Sequence, residues 1–149
     1  MGRLKYFVIH CTATRAGVTV TADQVRHWHT DPPPGGRGWR QVGYQSLVML
    51  DGKIETLVDN DYDGNIQPWE ITNGAAGYNS SCIHVCYVGG LACDGRPFDT
   101  RTPAQVEALR ALCRKVKARN PGVMIVGHNY INPLKACPCF NVDELLKTI

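Results

Sequence analysis

The stretch TPAQVEALRALCRKVKARNPGVMIVGH, Thr102 to His128, sets a long one-sided helix directly before a strand. Thr102 can cap the helix, Pro103 suits its first position, and Gln105 completes a capping box. Val106, Leu109, Cys113 and Val116 recur at spacings of three, four and three, so they share one apolar face. VMIVGH then reads as a short strand ending at His128.

Outward from this pair, KYFVIHC (Lys5 to Cys11) and CIHVCYV (Cys82 to Val88) are apolar, β-rich runs. YQSLVML and KIETLV flank Asp51-Gly52 and predict a hairpin, Tyr44 to Leu50 and Lys53 to Val58. Thr21 with Gln24 predicts a second capping box, opening a short helix through His29. The prolines and glycines of TDPPPGGRGW, Thr30 to Trp39, forbid its continuation. Asp59 to Ser81 is rich in Asp, Asn and Gly and reads mostly as loop, and Asn141 caps a C-terminal helix in NVDELLKTI. Strands mixed with helices imply an α/β fold, a central mixed sheet flanked by helices. The order of strands in that sheet does not follow from the pattern.

A chain of 149 residues suits one domain, 1–149. No segment is apolar for long enough to span a bilayer. The N-terminal MGRLKYFVIHC has too short an apolar run for a signal peptide, and MGRLKY lacks the Ser or Thr that a myristoylation motif expects at residue 6. Sixteen Lys and Arg against 13 Asp and Glu give a formal charge of +3, with no basic run that would argue for nucleic acid. Seven cysteines, without a secretory signal, point to reduced thiols or metal ligands.

KACPCF, Lys135 to Phe140, places two cysteines one residue apart, shortly after GHN at Gly127 to Asn129. Zinc takes histidine nitrogen and cysteine sulfur, and a catalytic zinc usually keeps three protein ligands. His10 at the end of the first strand, His128 and either Cys137 or Cys139 could make such a set. The same residues could also be ordinary strand-end and loop groups. His27 and His29 lie two apart on a helix and face apart. His84 shares a strand face with Cys82 and Cys86, a trio better read as packing. A redox reading of Cys137 and Cys139 lacks the CxxC at a helix start that such pairs use. PPPGGRGW lacks the spacing of a phosphate-binding loop.

FVIHCTAT, RGWRQVGYQSLV, DGKI, CYVGG and VGHNYINPLKACPCF resemble, in order, the motifs of the type 2 N-acetylmuramoyl-L-alanine amidases. By pattern the likeness is to small bacteriophage amidases, which share a fold with peptidoglycan recognition proteins. It runs from about Leu4 to Phe140. The resemblance implies zinc held by His10, His128 and Cys137, with Lys135 beside the substrate carbonyl and Tyr44 as a second catalytic residue. It also implies a zinc amidase domain that cuts the amide between N-acetylmuramic acid and L-alanine of peptidoglycan. A monomer that waits in the cytoplasm and then acts on the cell wall is the corresponding expectation. In the resemblance, the loop with Arg37 and Trp39 rims the groove, and Asn79 and Asn129 could bond substrate or serve turns. The alternatives are a non-catalytic recognition module, disfavoured because Cys137 is kept, and a peptidase cutting within the stem peptide. Three positions depart from the family pattern. Gln45 replaces a common histidine, and Cys139 a serine or glycine. His84 replaces a glycine, where its imidazole is expected to narrow or reshape the groove.

Overall fold

The computed structural model describes residues 2–149. In chain order the strands are β1 (Gly2–Arg3), β2 (Tyr6–Cys11), β3 (Thr14–Arg15), β4 (Ser46–Val48), β5 (Ile54–Thr56), β6 (Asn65–Ile66), β7 (Cys82–Tyr87), β8 (Gly90–Leu91) and β9 (Met124–Gly127). The helices are α1 (Ala22–Thr30), α2 (Pro103–Arg119), α3 (His128–Ile131) and α4 (Val142–Leu146). The central sheet has the order β5-β4-β7-β2-β9, with β5 antiparallel to β4 and the other four strands parallel. Two short pairs, β1 with β6 and β3 with β8, lie outside it.

Parallel strands buried on both faces carry near-continuous apolar runs, as YFVIHC and CIHVCY do. Alternation then sorts their side chains. Phe7, Ile9, Ile83, Val85 and Tyr87 face the larger core, which α2 closes with Leu109, Leu112, Cys113 and Val116. Val8, His10, Cys82, His84 and Cys86 point to the other face, whose apolar cover includes Val20 and Val25.

Both predicted capping boxes are present, at Thr21–Gln24 and Thr102–Gln105. The side chain of Gln105 also reaches the sheet, donating from Nε2 to the carbonyls of Val88 (2.9 Å) and Val48 (3.3 Å). The hairpin strands are shorter than the apolar runs, because the chain turns at Met49, where the Gly52 amide donates back to its carbonyl at 2.8 Å. Gly52 has φ +86, and a Cβ there would meet the Ala104 carbonyl oxygen at 2.8 Å, so the hairpin tip packs on the start of α2.

The last strand also ends earlier than the pattern suggests. β9 stops at Gly127, and His128 opens the short helix α3. Asp59 to Ser81 is mostly loop, as its composition implies, with β6 and two single turns of tight helix at Pro68–Glu70 and Asn79–Ser81. Fully buried Gln45 anchors this loop. Its oxygen accepts from the His84 amide (2.6 Å) and the Thr72 hydroxyl (3.1 Å), and its nitrogen donates to the Glu70 carbonyl (2.8 Å).

Candidate metal centre

In parallel sheets, sites form beyond the carboxyl ends of the strands, and register fills that position here. Ile9 pairs with Gly127, so His10 on β2 and His128 just after β9 come side by side, their ring centroids 4.6 Å apart. The turn at Ala136–Cys139 brings in Cys137, whose Sγ lies 3.8 Å from His10 Nδ1. The possible ligand atoms of His10, His128 and Cys137 all fall within 4.8 Å of one another. Two donors on one tetrahedral zinc stand roughly 3.3–3.8 Å apart, given bond lengths of about 2.0–2.3 Å. The cluster therefore needs only a small contraction to close on an ion, and its two imidazoles and one thiol are donors that zinc accepts.

Electrostatics favour ligand-ready imidazoles. Burial, reinforced by His84, His128 and His29, holds His10 well below the usual histidine range. His128 is lowered by burial and then by the charge of Lys135. Proton and metal compete for the same lone pair, so a depressed pKa leaves it free.

Cys139, the other sulfur of the CxC pair, turns elsewhere. Its backbone is left-handed (φ +66), and its thiol sits 3.8 Å from Cys11 Sγ, outside the His–His–Cys group. Burial pushes that thiol up to about 12. Cys11 has a role that its sequence position did not signal: its backbone amide donates to Cys137 Sγ at 3.3 Å.

The cluster opens into a groove of about 690 Å³, rimmed among others by Tyr44, Arg37, Trp39 and Lys135. The Tyr44 ring lies 5.0 Å from that of His10. Burial, then the neighbouring thiols of Cys86, Cys137 and Cys11, push its phenol well above the ordinary range, so it keeps its proton. Lys135 is exposed and lines the same groove. The Arg37 guanidinium stacks 5.1 Å from the centre of the Trp39 ring, which in turn packs on His29.

His84 is placed differently from the expectation. It is fully buried and lies behind His10, with His84 Nδ1 2.8 Å from His10 Nε2, so it does not narrow the groove. Asn79 is likewise spent internally, on the Ala75 amide (2.8 Å) and His84 Nε2 (3.1 Å). The Asn129 backbone amide closes the loop onto the Cys137 carbonyl at 2.9 Å.

Known proteins resemble this chain along most of its length. A family model described as N-acetylmuramoyl-L-alanine amidase matches residues 1–140. The chain is 36% identical over 136 residues to an endolysin of Klebsiella phage KP32, covering 91% of this chain and 81% of the relative. It is 34% identical over 142 residues to an endolysin of Enterobacteria phage K11, covering 95% and 85%. Among solved structures, the Ph2119 endolysin from Thermus scotoductus MAT2119 bacteriophage Ph2119 shares the fold at TM-score 0.75 and 22% identity, over 99% of this chain and 85% of that one. By the extent of the family match and the identity to these relatives, the chain belongs to the N-acetylmuramoyl-L-alanine amidase family.

Proposed function

We propose that the chain hydrolyses the amide between N-acetylmuramic acid and L-alanine in peptidoglycan, with His10, His128 and Cys137 holding one zinc ion. The convergence of these three donors at the floor of an open groove carries the reading. It is supported by the family and by phage endolysins as relatives. Zinc held by three such donors supplies Lewis acidity, activating water for attack and polarising a carbonyl.

The chain's own residues would do the rest. The groove of about 690 Å³ is lined by all three donors, so a stem-peptide amide bound in it would meet the cluster. As water adds, negative charge grows on the carbonyl oxygen, and the ammonium of Lys135, which lines the same groove, would offset it. Its field is already felt at His128. Tyr44 keeps its hydroxyl proton at neutral pH and can donate it as a hydrogen bond to the same oxygen or orient the water. Arg37 and Trp39, stacked together, offer a flat face and a positive charge to the sugar or peptide. Among the described residues no helix is long and apolar enough to cross a membrane.

The test is digestion of purified peptidoglycan with mass analysis. Release of stem peptides that begin with L-alanine is the expected result. Cuts inside the peptide would replace the amidase by a peptidase, and binding without cleavage would leave a recognition module. Lys135→Ala and Tyr44→Phe should retain zinc and lose roughly 10²- to 10³-fold in turnover, with little change in substrate binding.

A further inference from the structure

The hydrogen bonds behind His10 form a chain whose proton positions are decided from one end. The Ala75 backbone amide can only donate, and it points at Asn79 Oδ1, 2.8 Å away. That atom is therefore the amide oxygen, which settles the orientation of the Asn79 side chain. The same oxygen lies 3.1 Å from His84 Nε2. An oxygen of this kind only accepts, so Nε2 of His84 carries the hydrogen. In a neutral imidazole the other nitrogen is then a bare acceptor. His84 Nδ1 lies 2.8 Å from His10 Nε2, which must donate to it, leaving the lone pair of His10 on Nδ1. His10 Nδ1 is the nitrogen that faces Cys137 Sγ.

The surroundings are built for an imidazole in this place. His84 is fully buried with no carboxylate among its hydrogen-bond partners, so its surroundings suit the neutral ring. Gly74 makes the room: a Cβ there would stand 2.7 Å from both Cγ and Nδ1 of His84, and 2.8 Å from the Gly43 carbonyl oxygen. The His84 backbone is held independently, its amide donating to Gln45 Oε1 at 2.6 Å.

We infer that His84 is a positioning residue for the metal centre: with Asn79 and the Ala75 amide it locks His10 in the Nε2–H tautomer and aims Nδ1 at the ion. Partners of this kind orient a ligand and raise its basicity, and their loss typically weakens metal binding about 10- to 100-fold. The inference rests on the zinc reading above and adds to it the atom by which His10 binds and the residues that select it.

Two measurements test it. The first is ¹⁵N NMR of the imidazoles in the zinc-free wild type, which needs no variant. Hydrogen on Nε2 of both His10 and His84 is expected, and hydrogen on His10 Nδ1 would overturn the inference. The second is Zn²⁺ affinity by competition with a chelator. His84→Leu removes the acceptor and should bind zinc about 10- to 100-fold more weakly. His84→Asn, whose Oδ1 can stand in for Nδ1, should recover most of that loss. Wild-type affinity in His84→Leu, or equal weakening in both variants, would show that His84 only fills space. A wild type that binds no zinc would instead bring down the metal reading itself, a result distinguishable from either of these.

Discussion

Cys137 and Cys139 differ in what their neighbours do with them. Cys137 accepts the Cys11 amide and faces His10, whereas Cys139 is turned by a left-handed backbone towards Cys11. Cys137→Ser should therefore release zinc to a chelator far more readily than wild type, while Cys139→Ser should retain a stoichiometric ion. Metal analysis after dialysis decides it, and the reverse order would move the ligand role to Cys139. His84 shows the same dependence on surroundings. Its alternation with Cys82 and Cys86 is legible in CIHVCYV, and the three do share a face. Which part of that face opens into the groove depends on the covering loops, so an imidazole expected in the groove lies behind it.

At the scale of elements, α2 is joined to the sheet by more than its apolar stripe. Gln105 completes the capping box through Oε1, which accepts from the Thr102 amide at 3.0 Å, and its Nε2 spans the ends of β4 and β7 by way of Val48 and Val88. Val48 O also accepts from the Val88 amide, so the Val88 carbonyl has more to lose. Gln105→Ala removes a buried donor and half of the capping box, at a cost of about 1–3 kcal/mol. In a chain of this size that lowers Tm by roughly 2–4 °C per kcal/mol. A thermal melt checks it, and a change within one degree would show that water or a neighbour replaces the amide. The box itself is visible in TPAQ. The reach of Gln105 into the sheet is not, because it depends on where the strand ends meet the helix.

For the whole molecule, the buried histidines make stability depend on acid. His29 is pulled down to about 4, first by burial and then by Arg37, and its Nδ1 accepts from the Gly43 amide at 2.9 Å. Above pH 6.5 neither folded nor unfolded His29 binds the proton, and it contributes no pH dependence. Between 6.5 and about 4 the unfolded chain takes up the proton and the folded one does not, so stability falls as pH falls. Over that window the loss from His29 alone is at most about 3 kcal/mol, reduced by whatever solvent screens the ring. Melts of the zinc-free protein should show Tm declining through this range. His29→Asn, which keeps an acceptor for Gly43 and cannot titrate, should flatten the decline, and an unchanged slope would assign it to other groups.

Element types were local matters. Capping boxes, a spacing of three and four on α2, and apolar β-rich runs depend on neighbours within a few residues, and these elements formed as their residues imply. The ordered motifs from FVIHC to KACPCF likewise carried the family and named His10, His128 and Cys137 before their positions in space were known. Strand order and register belonged to the tertiary structure, since the partner of a parallel strand is chosen by packing across many residues. Only that register sets His10 beside His128 and places His84 against His10 Nε2. The tautomer of His10 is decided further still, by a backbone amide at Ala75, because a buried hydrogen-bond chain takes its direction from its one donor that cannot reverse.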